Sequence, residues 1–174
     1  NPSTKKIRVY SSSTPVGVQV SSADNLVYSV YKNYITFNNI SFSGGNNSAF
    51  YIGSCSVFSI QNCNIDFCLN GIMGVSFGGS SANFQLQNST INHSNNNAVS
   101  LTTEFSNAVV TNNTIKNTGM IAGMGGSADG TYQAMNISGS NSVIRYNEVD
   151  SSGYIGIGFR GNSIQVSNNF VNYF

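Results

Sequence analysis

The chain has 174 residues, enough for one domain with a substantial core, and 40% of them are hydrophobic, so it is not a disordered chain. Charged residues make up only 7% and the net charge is +1, which argues against partners that need clustered Lys and Arg, namely nucleic acid and anionic membrane surfaces. No apolar run reaches the ~18 residues of a spanning helix, so membrane insertion is not expected either.

Residues 1–32 form an irregular leading segment or a first coil, with KIRVY (6–10) and GVQV (17–20) reading as strands. From residue 33 to 174 the chain repeats. The units are ITFNNISF (35–42), FSIQNCNI (58–65), FQLQNSTI (84–91), AVVTNNTI (108–115), IRYNEV (144–149) and IQVSNNFV (164–171). All but the fifth have the form apolar-x-apolar-x-Asn-x-x-apolar. The key position holds Asn39, Asn62, Asn88, Asn112, Tyr146 and Asn168, at spacings of 23, 26, 24, 34 and 22 residues. A period in the twenties built from short period-two segments is the signature of a solenoid. One unit cannot bury its apolar face alone, but stacked coils can.

Stacking places equivalent residues ~4.8 Å apart. Ile65, Ile91, Ile115, Val149 and Val171 then make one inward ladder, and the recurrent Asn takes the left-handed bend and bonds to the Asn of the next coil. Sequon matches such as Asn88-Ser89-Thr90 are expected by accident in this composition. A second strand follows each Asn strand: AFYI (49–52), GVSF (74–77), AVSL (98–101), AMNI (134–137) and IGIGF (155–159). The fold class is therefore all-β, a right-handed parallel β-helix of about six coils. The C-terminus stops inside the repeat pattern and neither end shows an amphipathic cap, so the chain is expected to be part of a longer protein with flanking domains.

Cys55, Cys63 and Cys68 are odd in number and lack metal-ligand spacing, so they are expected to be buried filler. Four residues past the key position come Ser43, Asp66, Asn92, Lys116, Asp150 and Asn172. Lys116 and Asp150 should form an ion pair between adjacent coils, whereas Asp66 and Asp150, three coils or ~14 Å apart, are too distant for a glycosidase pair. His93 should stand beside Phe67 and Asn117. Arg145 and Glu148 share one strand.

The units NYITFNNISFSGG, NNTIKNTG and NEVDSSGYIGIGFRGNSIQVSNNFV resemble the parallel β-helix repeats of the pectate-lyase-like superfamily, especially those of secreted bacterial proteins. The resemblance implies the β-helix fold, secretion or display on the cell surface, and a polysaccharide partner. It also admits polysaccharide lyase or glycoside hydrolase activity, and a Ca²⁺ cofactor that the chain's few acids support weakly. No other cofactor and no resident metal is expected.

The 34-residue spacing between Asn112 and Tyr146 contains GMGGSADGTY (123–132). In a solenoid such an excess bulges from one edge, and long loops on rigid scaffolds concentrate binding and catalysis. The spatial neighbours of this loop gather Asp129, Glu104 and Arg160 as candidate catalytic residues, with Tyr132 and Tyr154 as candidate substrate-binding residues. The functional expectation is an extracellular carbohydrate-associated domain, lyase-like or glycosidase-like, holding a polysaccharide near the 119–132 loop. The alternative is a non-catalytic spacer or adhesin stalk. Whether the chain is an enzyme stays open at this point.

Overall fold

The computed structural model describes residues 12–14, 16–121 and 130–172, and all the elements described are strands or turns. The strands stack as a parallel β-solenoid of about six turns. Sheet A comprises Asn25–Val30, Ser48–Gly53, Asn70–Val75, Val99–Leu101, Gln133–Ile137 and Ile155–Phe159. Sheet B comprises Ile35–Asn38, Phe58–Gln61, Gln85–Gln87, Val109–Thr111, Val143–Arg145 and Gln165–Ser167. Sheet C comprises Ser41–Ser43, Asn64–Asp66, Thr90–Asn92, Thr114–Thr118, Glu148–Ser152 and Phe170–Asn172. Each turn of the chain visits the sheets in the order A, B, C, and a short extra pair, Ser81–Ala82 with Phe105–Ser106, lies between A and B.

Three departures from the sequence reading stand out. Segment 17–20 is not a strand, whereas Asn25–Val30 is the first rung of sheet A, and 6–10 lies outside the described residues. The third coil's sheet A strand is Asn70–Val75 rather than 74–77. Gly74 explains this shift: it points inward, where an added Cβ would stand 2.7 Å from Leu101 and Phe105 side-chain atoms, and Phe77 lies beyond the strand.

The register is that of the repeat. Phe42, Ile65, Ile91, Ile115, Val149 and Val171 align as one row. The four middle members are buried, while Val171 on the last rung is half exposed. Phe50, Phe58, Phe84 and Phe105 fill the core between the sheets.

The bends obey a rule the repeat only half reveals. Asn39, Asn62, Asn88, Asn112, Tyr146 and Asn168 all have φ between 51° and 58°, the left-handed conformation that Asn tolerates best among non-glycine residues. The hydrogen-bonded ladder expected of them sits mainly one residue later, because the left-handed residue points its side chain out and its successor points in. Ser89 N donates to Asn113 Oδ1 at 2.9 Å, Asn113 N to Asn147 Oδ1 at 3.1 Å, and Asn147 N to Asn169 Oδ1 at 3.0 Å. The Nδ2 groups of Asn113, Asn147 and Asn169 donate in turn to Leu86, Val110 and Ile144 carbonyls. Among the outer residues, Asn62 alone is seen to bond a neighbouring coil's Asn, Asn38 Oδ1, at 2.8 Å.

The three cysteines are buried and free. Burial pushes the Cys55 and Cys68 thiols above their usual range, so both are held protonated and unreactive.

Two outcomes follow. Asn147→Ala removes two buried hydrogen bonds it donates and the acceptor of Asn113 N, and should cost about 2–4 kcal/mol by denaturant titration, whereas Asn112→Gly at the left-handed position should change stability by less than about 1 kcal/mol. Ellman titration at pH 8 should count no thiols in the folded protein and three after denaturation.

Candidate functional site

The outer face of sheet A carries two rows of side chains across the coils. One is Tyr28, Tyr51, Met73, Ser100, Asn136 and Gly158; the other is Val30, Gly53, Val75, Thr102, Ser138 and Arg160. The first half of the face is aromatic and apolar, the second polar. The inserted loop leaves and rejoins the solenoid at the polar end.

The insertion is closed at its base by bonds to the coil before it. Gly119 N donates to Ser94 O at 2.7 Å, and Asn97 Nδ2 donates to Gly130 O at 2.7 Å. Tyr132 N donates to Asn96 Oδ1 at 3.2 Å and Gln133 N to Asn97 Oδ1 at 2.9 Å. Asn96 and Asn97 therefore re-establish the register after the excess residues. They belong to a second corner ladder with Asn25, Asn47 and Asn70, which the sequence reading missed. The signal was present: each Asn stands at the start of a sheet A strand or within three residues before it.

The structure sorts the expected site residues into separate places. Asp129 lies outside the described residues. Arg160 is exposed and directly follows the last sheet A strand, its backbone N–H donating to Ile137 O at 2.9 Å. With Gly130, Asn136 and Ser138 it lines a shallow recess of about 150 Å³. Glu104 is two coils earlier; the nearby Ser76 hydroxyl, first among its neighbours, holds its carboxyl below the usual carboxylate range, and Thr103 Oγ1 donates to Glu104 Oε2 at 3.4 Å. Glu104 and Arg160 are not a pair.

Tyr132 and Tyr154 stand at the opposite ends of their strands from Arg160. Tyr132 adopts φ 56° and its C=O accepts from Tyr154 N at 3.0 Å. Its side chain packs where Gly119 and Gly153 leave room: a Cβ on Gly119 would lie 2.8 Å from Tyr132 Cβ. Tyr132 is thus an anchor for the loop base, while Tyr154 is exposed.

The charged row on sheet C is aligned as the repeat requires, from Ser43 through Asp66, Asn92, Lys116 and Asp150 to Asn172. The ion pair expected between Lys116 and Asp150 is formed instead by Lys116 and Glu148, at 3.1 Å. Asp150 accepts from Ser151 Oγ. His93 stacks flat on Phe67, ring centroids 4.6 Å apart, and its Nδ1 meets Asp66 Oδ1 at 2.9 Å. Arg145 lies over the Tyr146 ring at 5.8 Å. Among the described residues no three His, Cys, Asp or Glu side chains gather into a group that could hold a metal.

No family model, no curated protein and no solved structure matches this chain.

Glu104 supplies a pH test. Its folded pKa lies below the ordinary value of 4.5, so its contribution is fully present above that value and is lost as pH falls through the lowered one. Glu104→Gln should lower the melting temperature at pH 7, and the gap to the unaltered protein should close on acidification below about pH 4.

Proposed function

We propose that the chain is an extracellular carbohydrate-associated β-solenoid domain that holds a polysaccharide on the outer face of sheet A, beside the 119–132 loop. The observation that carries this reading is the recess formed by Gly130, Asn136, Ser138 and Arg160 where the insertion rejoins the solenoid. An amide, a hydroxyl, a backbone carbonyl and a guanidinium together suit sugar hydroxyls and carboxylates, and the guanidinium suits a uronate through paired N–H donors. The low charge of the remaining surface suits an uncharged or weakly charged polymer.

Binding is favoured over turnover. β-Elimination needs a base together with a cation that neutralises the substrate carboxylate, and Glu104 lies beside Ser76 and Thr103, two coils away from Arg160. Lyase or hydrolase chemistry at this face would depend on Asp129. The superfamily resemblance supports the carbohydrate reading, as does the hydroxyl- and amide-rich surface.

One observation favours a purely structural stalk instead. The inner asparagines use their amides within the solenoid, so this part of the repeat serves the fold alone.

The discriminating experiment is affinity electrophoresis and calorimetry against uronate-containing and neutral polysaccharides, with and without Ca²⁺, while following unsaturated product and new reducing ends. The expected result is binding that Arg160→Ala weakens about 10-fold, the loss of one charge-assisted contact, with no product formed. Product that disappears in Asp129→Ala would establish catalysis at the loop. Silence across the panel would favour the stalk.

A further inference from the structure

The opposite half of the same face holds an aromatic array that the recess does not use. Tyr28 and Tyr51 are register partners on the first two rungs of sheet A, and their rings stack at 5.6 Å with planes 6° apart. Phe77 meets Tyr51 edge to face at 6.1 Å and Tyr31 at 6.2 Å. Tyr31 is tied down by its hydroxyl, which donates to Phe77 O at 2.9 Å.

The array has its own seat in the backbone. Phe77, on the third coil, folds back over the second, and the space it fills is the one above Gly53. A Cβ on Gly53 would lie 2.5 Å from Phe77 Cδ2, so glycine is the residue that lets the ring lie down there. Despite these contacts Tyr28 is 64% and Tyr31 63% exposed. Aromatic side chains ordinarily bury most of their surface, yet Tyr28 and Tyr31 stay open to solvent while packed against the half-buried Tyr51 and Phe77.

The chemistry around the array selects the ligand. The three strands beneath it, NLVYSV, SAFYIG and NGIMGV, contain no Lys, Arg, Asp or Glu. Lys32, one residue past Tyr31, is the single cation next to an array member in the chain, too few for the successive phosphates of a nucleic acid that stacked on the rings or for the successive carboxylates of a uronate polymer. An uncharged sugar ring needs only an aromatic surface for its C–H groups and neutral groups for its hydroxyls. Tyrosine supplies both, an apolar body and a polar tip, and Ser100 and Asn136 continue the polar contacts along the row of Tyr28 and Tyr51.

We infer that Tyr28, Tyr51, Tyr31 and Phe77 form a stacking subsite for uncharged pyranose units, so that a neutral glycan runs across the strands of sheet A from the aromatic end towards Arg160. This rests on the carbohydrate reading and names the class of sugar. It gives the face two ends of different selectivity, a neutral one at the first coils and a charge-accepting one at the insertion.

The test uses the full chain with soluble neutral glycans (a β-glucan, a xylan and a galactomannan) and with polygalacturonate. The chain has no Trp, so its near-ultraviolet circular dichroism comes mainly from Tyr and Phe and reports ring contacts directly. A neutral glycan should bind and perturb that spectrum. Tyr28→Ala and Tyr51→Ala should each weaken its binding about 10-fold or more. Tyr28→Phe should retain it within about 3-fold. Unchanged thermal melts for the exposed Tyr28 variants would confirm that folding is not the cause. Neutral-glycan binding indifferent to Tyr28 and Tyr51 would overturn the subsite while leaving the carbohydrate reading intact. So would binding of polygalacturonate alone, lost in Arg160→Ala. No binding to any polymer would remove both.

Discussion

The bends between sheets B and C leave backbone N–H groups that sheet pairing does not serve, and the fold depends on serving them. Between sheets B and C the solution is a side chain from the next coil. The inward residue after four of the six left-handed bends, Ser89, Asn113, Asn147 or Asn169, presents an oxygen to the N–H of the coil before. An orphaned buried donor costs about 1–3 kcal/mol, and such a bend recurs on every coil. The aliphatic rows could pack in several registers, since Ile, Val and Phe are forgiving neighbours. The amide ladder cannot slip without breaking its donors, so it fixes the register that the core then fills.

That division explains what could be read from the residues alone. Period-two alternation with Asn at a fixed offset was enough to give the stacked strands, the Ile65-to-Val171 row and the Asp66-to-Asn172 row, because spacing along the chain becomes position in a solenoid. What failed depended on direction rather than spacing. The left-handed geometry of Asn112 turns its side chain outward and hands the ladder to Asn113, and nothing in the motif distinguishes the two. Lys116 faces both Asp150 in register and Glu148 two residues earlier, and its long stem reaches the latter. Gly74 and Gly53 displaced the assigned strand and placed Phe77 because glycine leaves space whose occupant comes from another coil.

The candidate site was legible in location and not in composition. A spacing of 34 residues among values near 24 marks the place where the regular structure is relieved. The side chains there divide by a consequence of strand geometry: residues at the two ends of one sheet A strand are separated by its length. Tyr132 and Tyr154 belong to one end, Arg160 to the other. Of the tyrosines that share the outer face in a row, Tyr28 comes from the leading segment, where the repeat is not legible, and Tyr51 from the coil after it.

The clamp at the base of the insertion has a consequence for how such a molecule could be altered. Most of the solenoid is a counted structure, in which one residue added to a coil rotates the following strand's inward and outward sets. Between Gly119 and Gly130 the count is suspended, because Ser94 and Asn97 hold the two points where the chain departs and returns. Lengthening a segment whose ends are already held costs only a slowly growing loop-closure entropy. Foreign sequence spliced there would therefore inherit a rigid mount and leave the remaining coils unaware of it, making this corner a graft site on an otherwise uninterruptible scaffold.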